Sequence, residues 1–263
     1  MYTGSEIPKV IHYCWFGGKP LPPLALKCIK SWKKLFPGYE IKRWDESNFD
    51  VNVIPYTQQA YEAGKYAFVS DYARLWILYN FGGFYFDTDV EVIRNMDDII
   101  SSGPFMGCEN EFVPCNSPDK LGVNPGLGLC ASKGMSFYGE LLNLYATLTF
   151  KRIDGSLNTE TIVSYTTKRL CSKGLKNVPE VQEIEGIKIY PKDYFCPMNY
   201  ISKQLDITVN TRSIHHYCAS WYGKRERLYQ FFLKVFGKKI AARLSKLEKK
   251  VRASVFCRVK KTL

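Results

Sequence analysis

The sequence predicts an α/β fold in which a mixed sheet is flanked by helices. A strand, a helix and a second strand follow one another near the N-terminus, which predicts a βαβ unit with parallel strands. Further along, an amphipathic helix leads into FGGFYFDTDV, where an aromatic strand ends in two aspartates. Because open α/β sheets bind ligands at the carboxyl ends of their strands, these aspartates mark the predicted site.

The N-terminal βαβ unit is predicted from three consecutive segments. KVIHYCWFGG forms the first strand and ends in Gly17 and Gly18, and YEIKRW forms the second. Between them, PPLALKCIKSWKKLF is a helix that ends at Pro37-Gly38, with lysines opposite its apolar face. That face consists of Leu24, Cys28, Trp32 and Leu35.

The rest of the chain continues the alternation of helices and strands. AFVSDYARLWILYNF is predicted as a helix capped by Gly82-Gly83, and FYF as the strand that delivers Asp87. Further strands are predicted in PFMGCE, LGLCA, IKIY and SIHHY, and further helices in MSFYGELLNLYATLTF and TETIVSYTTKRLC. The composition turns basic near Tyr222, so we predict a globular domain over 1–223 and a basic helical tail over 224–263.

Charge and cysteine content narrow the class of protein. The segment 224–263 holds 14 of the 37 basic and two of the 25 acidic residues, so the net charge of +12 resides in the tail. Nine scattered cysteines without a C-x-x-C pair argue against a zinc knuckle and a disulfide framework, and favour a reducing compartment. Met1–Pro8 lacks the features of a signal peptide, and no apolar run reaches the roughly 18 residues of a membrane-spanning helix. We therefore expect a cytoplasmic protein.

Asp87 and Asp89 are the central candidates for chemistry. Two carboxylates at i and i+2 after a strand repel each other unless a cation or hydrogen bonds compensate, and such ligands suit Mg²⁺ or Mn²⁺. A divalent ion could then neutralise the diphosphate of a leaving nucleotide. The alternative is an exposed Asp-Thr-Asp turn that caps neighbouring amides.

Three other stretches support a site, although each also has an ordinary explanation. Asp71 and Arg74 lie three apart on a helix, so they either face the same crevice or form a surface ion pair. Trp15, at the end of the first strand, could stack on a nucleobase or belong to the core. HHYCASW offers a possible imidazole ligand, a hydroxyl and an exposed aromatic, Trp221, after a short strand, whereas a lone histidine is more often structural.

Together, IPKVIHYCWFGG, SDYARLWILYNFGGFYFDTDV and HHYCASW, in this order, resemble glycosyltransferase family 32 and, more distantly, the glucosylating domains of clostridial toxins. The resemblance spans about Ile7 to Trp221. It implies a GT-A fold with a Rossmann-like sheet and a bacterial capsular or lipopolysaccharide sugar transferase. The nucleotide sugar, with UDP as the expected carrier, would be the donor, and Mn²⁺ or Mg²⁺ the cofactor.

The resemblance also implies roles for individual residues. Asp89 and His215 would bind the metal, and Asp87 would contact the ribose and the sugar, touching the metal through water. The remaining donor contacts would come from Trp15 on the base, Asp71, Arg74 on the sugar or diphosphate, and a closing loop with Ser220 and Trp221. His216, the neighbour of His215 on a strand, would face the other way. We expect an Arg74 variant to lose activity at an unchanged melting temperature.

The implied reaction is transfer of a sugar to a glycan with retained anomeric configuration. Front-side attack, with the leaving phosphate taking the acceptor's proton, needs no protein nucleophile; Asp71 and Glu160 are possible carboxylates without support from spacing. The role of Asn124 stays open, because it is offset from the family's asparagine. The alternatives are a haloacid-dehalogenase-like phosphatase, with the first aspartate of DTDV as nucleophile, and an inert sugar-nucleotide-binding protein.

The basic tail carries an apolar stripe among its lysines and arginines. No base-reading fold accompanies this charge, so we expect no nucleic-acid partner. A helix on an anionic membrane surface fits better and would bring the enzyme to a lipid-linked glycan acceptor on the inner face of the cytoplasmic membrane. The alternative is that the stripe packs on the domain. The stripe consists of Leu228, Phe232, Val235, Ile240, Leu244, Leu247, Val251 and Val255.

Overall fold

The computed structural model describes residues 6–112, 121–200 and 202–218. A compact unit extends to Asn199 and resumes over Gln204–Cys218. Of a second unit, only Tyr200, Ser202 and Lys203 are among the described residues. The predicted boundary at 223/224 and the tail 224–263 lie outside the described residues, so the division of the chain stays a prediction.

The elements alternate between strands and helices along the chain. The described strands are β1 (Val10–Cys14), β2 (Glu40–Trp44), β3 (Gly83–Tyr85), β4 (Val90–Val92), β5 (Phe105–Gly107), β6 (Leu129–Ala131), β7 (Gln182–Ile184), β8 (Ile187–Tyr190) and β9 (Ser213–His215). The described helices are α1 (Pro23–Leu35), α2 (Pro55–Glu62), α3 (Tyr66–Phe81), α4 (Asp97–Ile100), α5 (Ser136–Ala146), α6 (Ile162–Ser172) and α7 (Lys192–Phe195). The predicted α/β class is confirmed.

Seven strands form one mixed sheet in the order β2-β1-β3-β6-β5-β8-β7. Strand β1 pairs in parallel with both β2 and β3, as the βαβ unit predicted, and β5 pairs in parallel with β8. Strand β6 is antiparallel to both of its neighbours. Strands β4 and β9 form a separate antiparallel ribbon, which the sequence analysis did not predict.

Helices cover the two faces of the sheet, and the alternation of β3 decides which side chains meet them. Phe84 and Phe86 pack in the cluster that contains Trp32 of α1. Tyr85 points to the opposite face and packs with α3 residues such as Leu75. The α1 face is rotated relative to the predicted one, because its buried residues are Ala25, Cys28, Ile29 and Trp32. Leu24 and Leu35 are only partly buried against the same cluster.

A buried histidine joins β1 to the turn that ends α3. His12 is 2% exposed, and its Nδ1 accepts a hydrogen bond from Trp44 Nε1 at 3.1 Å. Its Nε2 lies 3.1 Å from Gly82 O and, because Nδ1 is the acceptor, must carry the proton and donate. Gly82 itself caps α3 with a φ of 67°, a conformation that suits glycine. The neutral imidazole therefore hydrogen-bonds to one backbone carbonyl and one side-chain N–H group at once.

We expect His12 to make the fold sensitive to acid. Burial, together with the charge of Lys42, lowers the pKa of His12 to about 4. Below pH 6.5 the unfolded chain takes up this proton before the folded one does, so stability falls between pH 6.5 and 4, by about 3 kcal/mol in all. The measurement is the free energy of unfolding against pH for the wild type and for His12→Gln. An equal slope in both proteins over this interval would contradict the assignment.

Candidate active site

Asp87 and Asp89 lie in the four-residue link between β3 and β4. The chain leaves the sheet after Tyr85, and β4 begins at Val90. Within the link, Asp87 N–H donates to Gly126 O at 3.2 Å and Val90 N–H donates to Asp87 O at 3.0 Å. The two carboxylates therefore lie at the carboxyl end of a buried strand, as the sequence predicted.

The β4–β9 ribbon brings His215 to these carboxylates. His215 pairs with Val90, and its Nε2 lies 3.2 Å from Asp89 Oδ1. His216 faces the other way, as expected from strand alternation, with Nε2 2.9 Å from Glu91 Oε2. Of the two neighbouring histidines, His215 is thus the one at the site.

The three side chains fit a divalent cation. Ligand atoms of Asp87, Asp89 and His215 all lie within 4.8 Å of one another, which is close enough for one ion to touch all three. Carboxylate oxygens suit Mg²⁺ and Mn²⁺, and an imidazole nitrogen is a common metal ligand. His215 is 8% exposed, and the ring nitrogen that faces the Asp89 carboxylate is Nε2.

Without an ion, Asp89 and His215 stabilise each other as an ion pair. Burial alone would raise the pKa of Asp89, but the His215 charge and hydrogen bonds from His215 and Cys218 N–H lower it to about 2. Burial likewise opposes the imidazolium, yet Asp89 and then Asp87 raise the pKa of His215 to about 10. The local field at this point is therefore strongly negative, as a cation site requires.

Arg74 is buried between the two other acidic residues of the site. Its Nη2 lies 3.1 Å from Asp71 Oδ1 and 3.2 Å from Asp87 Oδ1, and its side chain is 5% exposed. Its guanidinium also lies over the Tyr85 ring, and Tyr85 Oη donates to Asp87 Oδ1 at 3.1 Å. The alternative of a surface ion pair is therefore wrong for this pair.

Asp71 links Arg74 to the start of α6. Burial raises the pKa of Asp71 to about 6; the Arg74 charge opposes this rise, and Asp87 adds to it. Asp71 also accepts a hydrogen bond from Ile162 N–H, at the first position of α6. Glu160, the other carboxylate considered, is instead paired with Lys168 and accepts a hydrogen bond from Ser164.

Trp15 lies just beyond β1 and is partly buried. Its Nε1–H donates to Lys19 O at 2.6 Å, which fixes the plane of the indole. The loop beneath it is tight: Gly17 has a φ of 91°, and a Cβ there would overlap the Tyr66 ring. Trp15 is thus an aromatic side chain fixed in orientation at the edge of the core. Its stacking on a nucleobase stays a prediction. Ser220 and Trp221 lie outside the described residues.

We expect Trp15→Ala to raise the apparent KM for the nucleotide-sugar donor. A base stacked on an aromatic side chain contributes ~1–3 kcal/mol, so the rise should be about 5- to 150-fold with a smaller change in kcat. Steady-state kinetics against donor concentration measure it, and Trp15→Phe, which keeps an aromatic face, should recover part of the affinity. An unchanged KM in folded Trp15→Ala protein would show that Trp15 serves the packing of the core and does not bind the base.

The loop before β6 supplies contacts that the sequence analysis left open. Asn124 is buried, and its Oδ1 accepts a hydrogen bond from Gly126 N–H at 2.7 Å. Gly126 in turn holds the backbone of Asp87 through its carbonyl. The sequence signal was NPG, since an asparagine side chain often bonds to the backbone two residues on. Glu109 and Tyr217 also lie in the surroundings of the site, but no pattern in the sequence indicated them.

Gly126 should be intolerant of any side chain. A Cβ at this position would overlap Asp87 Oδ2, so Gly126→Ala must displace the carboxylate or the loop. We expect loss of divalent-ion binding and a fall in turnover on the order of 10²-fold. Gly134→Ala is the control: Gly134 has a φ of 76° and open space around it, so it should lose stability without losing ion binding. Equal ion affinity in Gly126→Ala and wild type would contradict this packing.

Residues 22–106 match the family described as the glycosyltransferase sugar-binding region containing a DXD motif. The resemblance to a DXD glycosyltransferase is thereby confirmed for the DXD region, which contains Asp71, Arg74, Asp87 and Asp89. Trp15 and His215 lie outside the matched residues.

A curated relative and three solved structures are also similar. The chain is 35% identical over 100 residues to inositol phosphoceramide mannosyltransferase 3 of Schizosaccharomyces pombe. The aligned region covers 36% of this chain and only 28% of the length of that protein. Among solved structures, it is similar to the PaToxG glycosyltransferase (18% identity, 64% and 70% coverage of this chain and that chain, TM-score 0.47). It is also similar to a glycosyltransferase involved in the glycosylation of the major capsid of PBCV-1 (10% identity, 85% and 100% coverage of this chain and that chain, TM-score 0.45). A third similar structure is the galactosyltransferase LgtC (12% identity, 88% and 98% coverage, TM-score 0.39).

Within 6–112, 121–200 and 202–218, no helix combines the length and the apolar character that crossing a membrane requires.

Proposed function

We propose that this chain is a metal-dependent glycosyltransferase that moves a sugar from a nucleotide-diphosphate sugar, with UDP as carrier, to a glycan acceptor with retained anomeric configuration. The observation that carries the proposal is the convergence of Asp87, Asp89 and His215 within 4.8 Å at the end of β3. The DXD region supplies the two aspartates and the neighbouring Arg74. The hexosyltransferase type and the bacterial surface polysaccharide role are part of the proposal.

In this proposal the site stabilises the departing diphosphate. A bound Mn²⁺ or Mg²⁺ would supply positive charge to the phosphate oxygens as the bond to the sugar breaks. Asp89 and His215 would hold the ion, with Asp87 beside them as the third side chain. Arg74, kept charged by two carboxylates, pairs with Asp87 and would add to the electrostatic stabilisation.

The ion pairs around Arg74 also bear on the mechanism. Asp71 and Asp87 both contact the guanidinium, so each carboxylate is already committed to a cation. Glu160 is paired with Lys168. This supports front-side attack, in which the bond from the anomeric carbon to phosphate breaks, the acceptor oxygen bonds on the same face, and the leaving phosphate takes the acceptor's proton.

Nucleotide release tests the proposal. The full chain is incubated with Mn²⁺, Mg²⁺ or EDTA and a panel of UDP- and GDP-sugars, and free nucleotide is separated by chromatography. GDP-mannose belongs in the panel because the curated relative is named as a mannosyltransferase. Metal-dependent release supports the proposal, and the anomeric coupling constant of the product tests retention. Phosphate release from a monoester would favour the phosphatase, and binding without turnover would favour the inert protein.

We also propose a cytoplasmic enzyme that works beside an anionic membrane surface on a lipid-linked glycan. The support comes from the composition of 224–263, where apolar residues and 14 basic residues share one segment. Flotation with anionic and neutral liposomes, with and without 224–263, tests it. Equal binding by the truncated chain, or no binding by the full chain at low salt, would end this part of the proposal.

A further inference from the structure

Glu109 occupies a central place beside the site without touching the three metal-binding candidates. It follows β5, and its backbone N–H donates to Gly122 O at 2.8 Å, which anchors it at the start of the loop to β6. Its side chain is partly buried, whereas the next glutamate, Glu111, is 74% exposed and paired with Lys192. A partly buried carboxylate needs partners, and those of Glu109 come from two different loops.

The first partner leads to Asp87. Glu109 Oε2 accepts a hydrogen bond from Asn124 Nδ2 at 2.7 Å, which fixes the orientation of the Asn124 amide. The amide oxygen then accepts from Gly126 N–H at 2.7 Å, and Gly126 O accepts from Asp87 N–H. With no room for a side chain between Gly126 and the Asp87 carboxylate, a shift of this loop is transmitted directly to Asp87.

The second partner leads to His215. Burial raises the pKa of Glu109, and hydrogen bonding from Asn124, the charge of His215 and hydrogen bonding from Tyr217 oppose this rise. Cys196 Sγ lies 2.9 Å from the Tyr217 hydroxyl. The Tyr217 ring packs on the His215 ring with centroids 4.3 Å apart. Tyr217 has a φ of 50°, a left-handed backbone conformation that a bulky residue adopts only when its surroundings hold it there.

We propose that Glu109 is a positioning residue that holds Asn124 and Tyr217 at once, and thereby sets the distance between Asp87 and His215. The two residues reach the site from opposite directions, one through the β3–β4 link and the other through β9. In the described part of the site, this carboxylate joins the two loops that back them. This inference rests on the proposed function, because it assigns the purpose of the arrangement as ion binding.

Histidine NMR of the metal-free protein tests the structural half of the inference. The chain has three histidines, so ε1-labelled histidine gives three ring signals that His→Gln variants assign. Because an aromatic ring at 4.3 Å shifts its neighbour's resonances, releasing Tyr217 should move the His215 signal. We expect Glu109→Ala to move it while the His12 and His216 signals stay in place. Glu111→Ala, the matched control, should leave all three unchanged.

Ion affinity tests the functional half. Titration with Mn²⁺ followed by EPR should show about 10-fold or greater weakening in Glu109→Ala, as for other outer partners of metal ligands, and wild-type affinity in Glu111→Ala. Glu109→Gln, which keeps one acceptor for Asn124, should lie between. Kinetics at saturating Mn²⁺ should recover much of kcat, because a positioning defect is offset by excess ion.

The outcomes separate this inference from the proposed function. Wild-type protein that binds no Mn²⁺ would refute the proposed function. The NMR result would still decide whether Glu109 holds Tyr217. Wild-type ion binding with an unmoved His215 signal and unchanged affinity in Glu109→Ala would overturn the inference alone. Failure of both Glu109 variants to fold, with Glu111→Ala folded, would also overturn it, because Glu109 would then serve the stability of the fold.

Discussion

Asp89→Ala should abolish Mn²⁺-dependent nucleotide release, with a loss on the order of 10³-fold or more. The substitution removes the carboxylate nearest to His215 and leaves two side chains of the three that converge. Transition-state charge stabilisation by a single preorganised group is typically worth about 10²–10³ in kcat, and an ion contributes more than one group. The assay is metal-dependent turnover, with Mn²⁺ affinity measured on the same protein.

The fold should survive this change. Without Asp89 the pKa of His215 falls, so the buried imidazole becomes neutral and no isolated charge remains. Asp89→Asn keeps an acceptor for Cys218 N–H and serves as the milder variant. Asp50→Ala, in an exposed loop where the carboxylate accepts from Asn52 N–H, is the control and should keep full activity. Wild-type turnover by folded Asp89→Ala protein would refute the metal assignment.

Arg74→Ala should lose both activity and stability. The sequence analysis expected an unchanged melting temperature, but Arg74 is buried and compensates Asp71 and Asp87. Removing one partner of a buried ion pair typically costs about 3–5 kcal/mol, because the remaining charge is left without compensation. Circular dichroism during thermal unfolding measures the stability, and donor turnover below the lowered melting temperature measures the activity.

Arg74→Lys separates charge from geometry. Lysine keeps the positive charge but lacks the planar fork with which arginine reaches two carboxylates, so it should restore much of the stability and little of the activity. Asp71→Asn changes a partner of Arg74 and keeps the guanidinium itself. It removes one carboxylate charge and should leave Arg74 paired with Asp87. Full activity in Arg74→Ala at a temperature where it is folded would assign the residue to structure alone.

Much of the fold could be predicted because its long elements have strong local signals. The α3 helix, its glycine cap and the β1–α1–β2 unit are read from periodicity and turn residues. The elements that escaped prediction are short or lack a clear pattern. Three-residue strands such as β4 and single-turn helices such as α4 exist because of what they pack against, and α2 has only eight residues.

The residues of the site could be predicted where side chains of suitable chemistry lie at a recognisable spacing within one segment of the sequence. Asp87, Asp89 and the Asp71–Arg74 pair lie close together in the sequence, and the structure places all four at one point. Glu109 and Tyr217 could not be found in this way, because their contacts arise from loops that meet only in three dimensions. The ion pair between Arg74 and Asp87 escaped for the same reason, since it depends on how a helix crosses a strand.

The β4–β9 ribbon has a consequence for how the protein is made. Val90 and His215 are paired neighbours, yet all of residues 93–212 are synthesised between the two strands. The chain is synthesised from its N-terminus and a domain folds as a unit, so the aspartates and Arg74 emerge from the ribosome well before β9. A chain that stops before residue 213 contains them but lacks the imidazole. The cluster of Asp87, Asp89 and His215 is therefore complete only after residue 215 has been synthesised, and a product terminated before that point has an incomplete site.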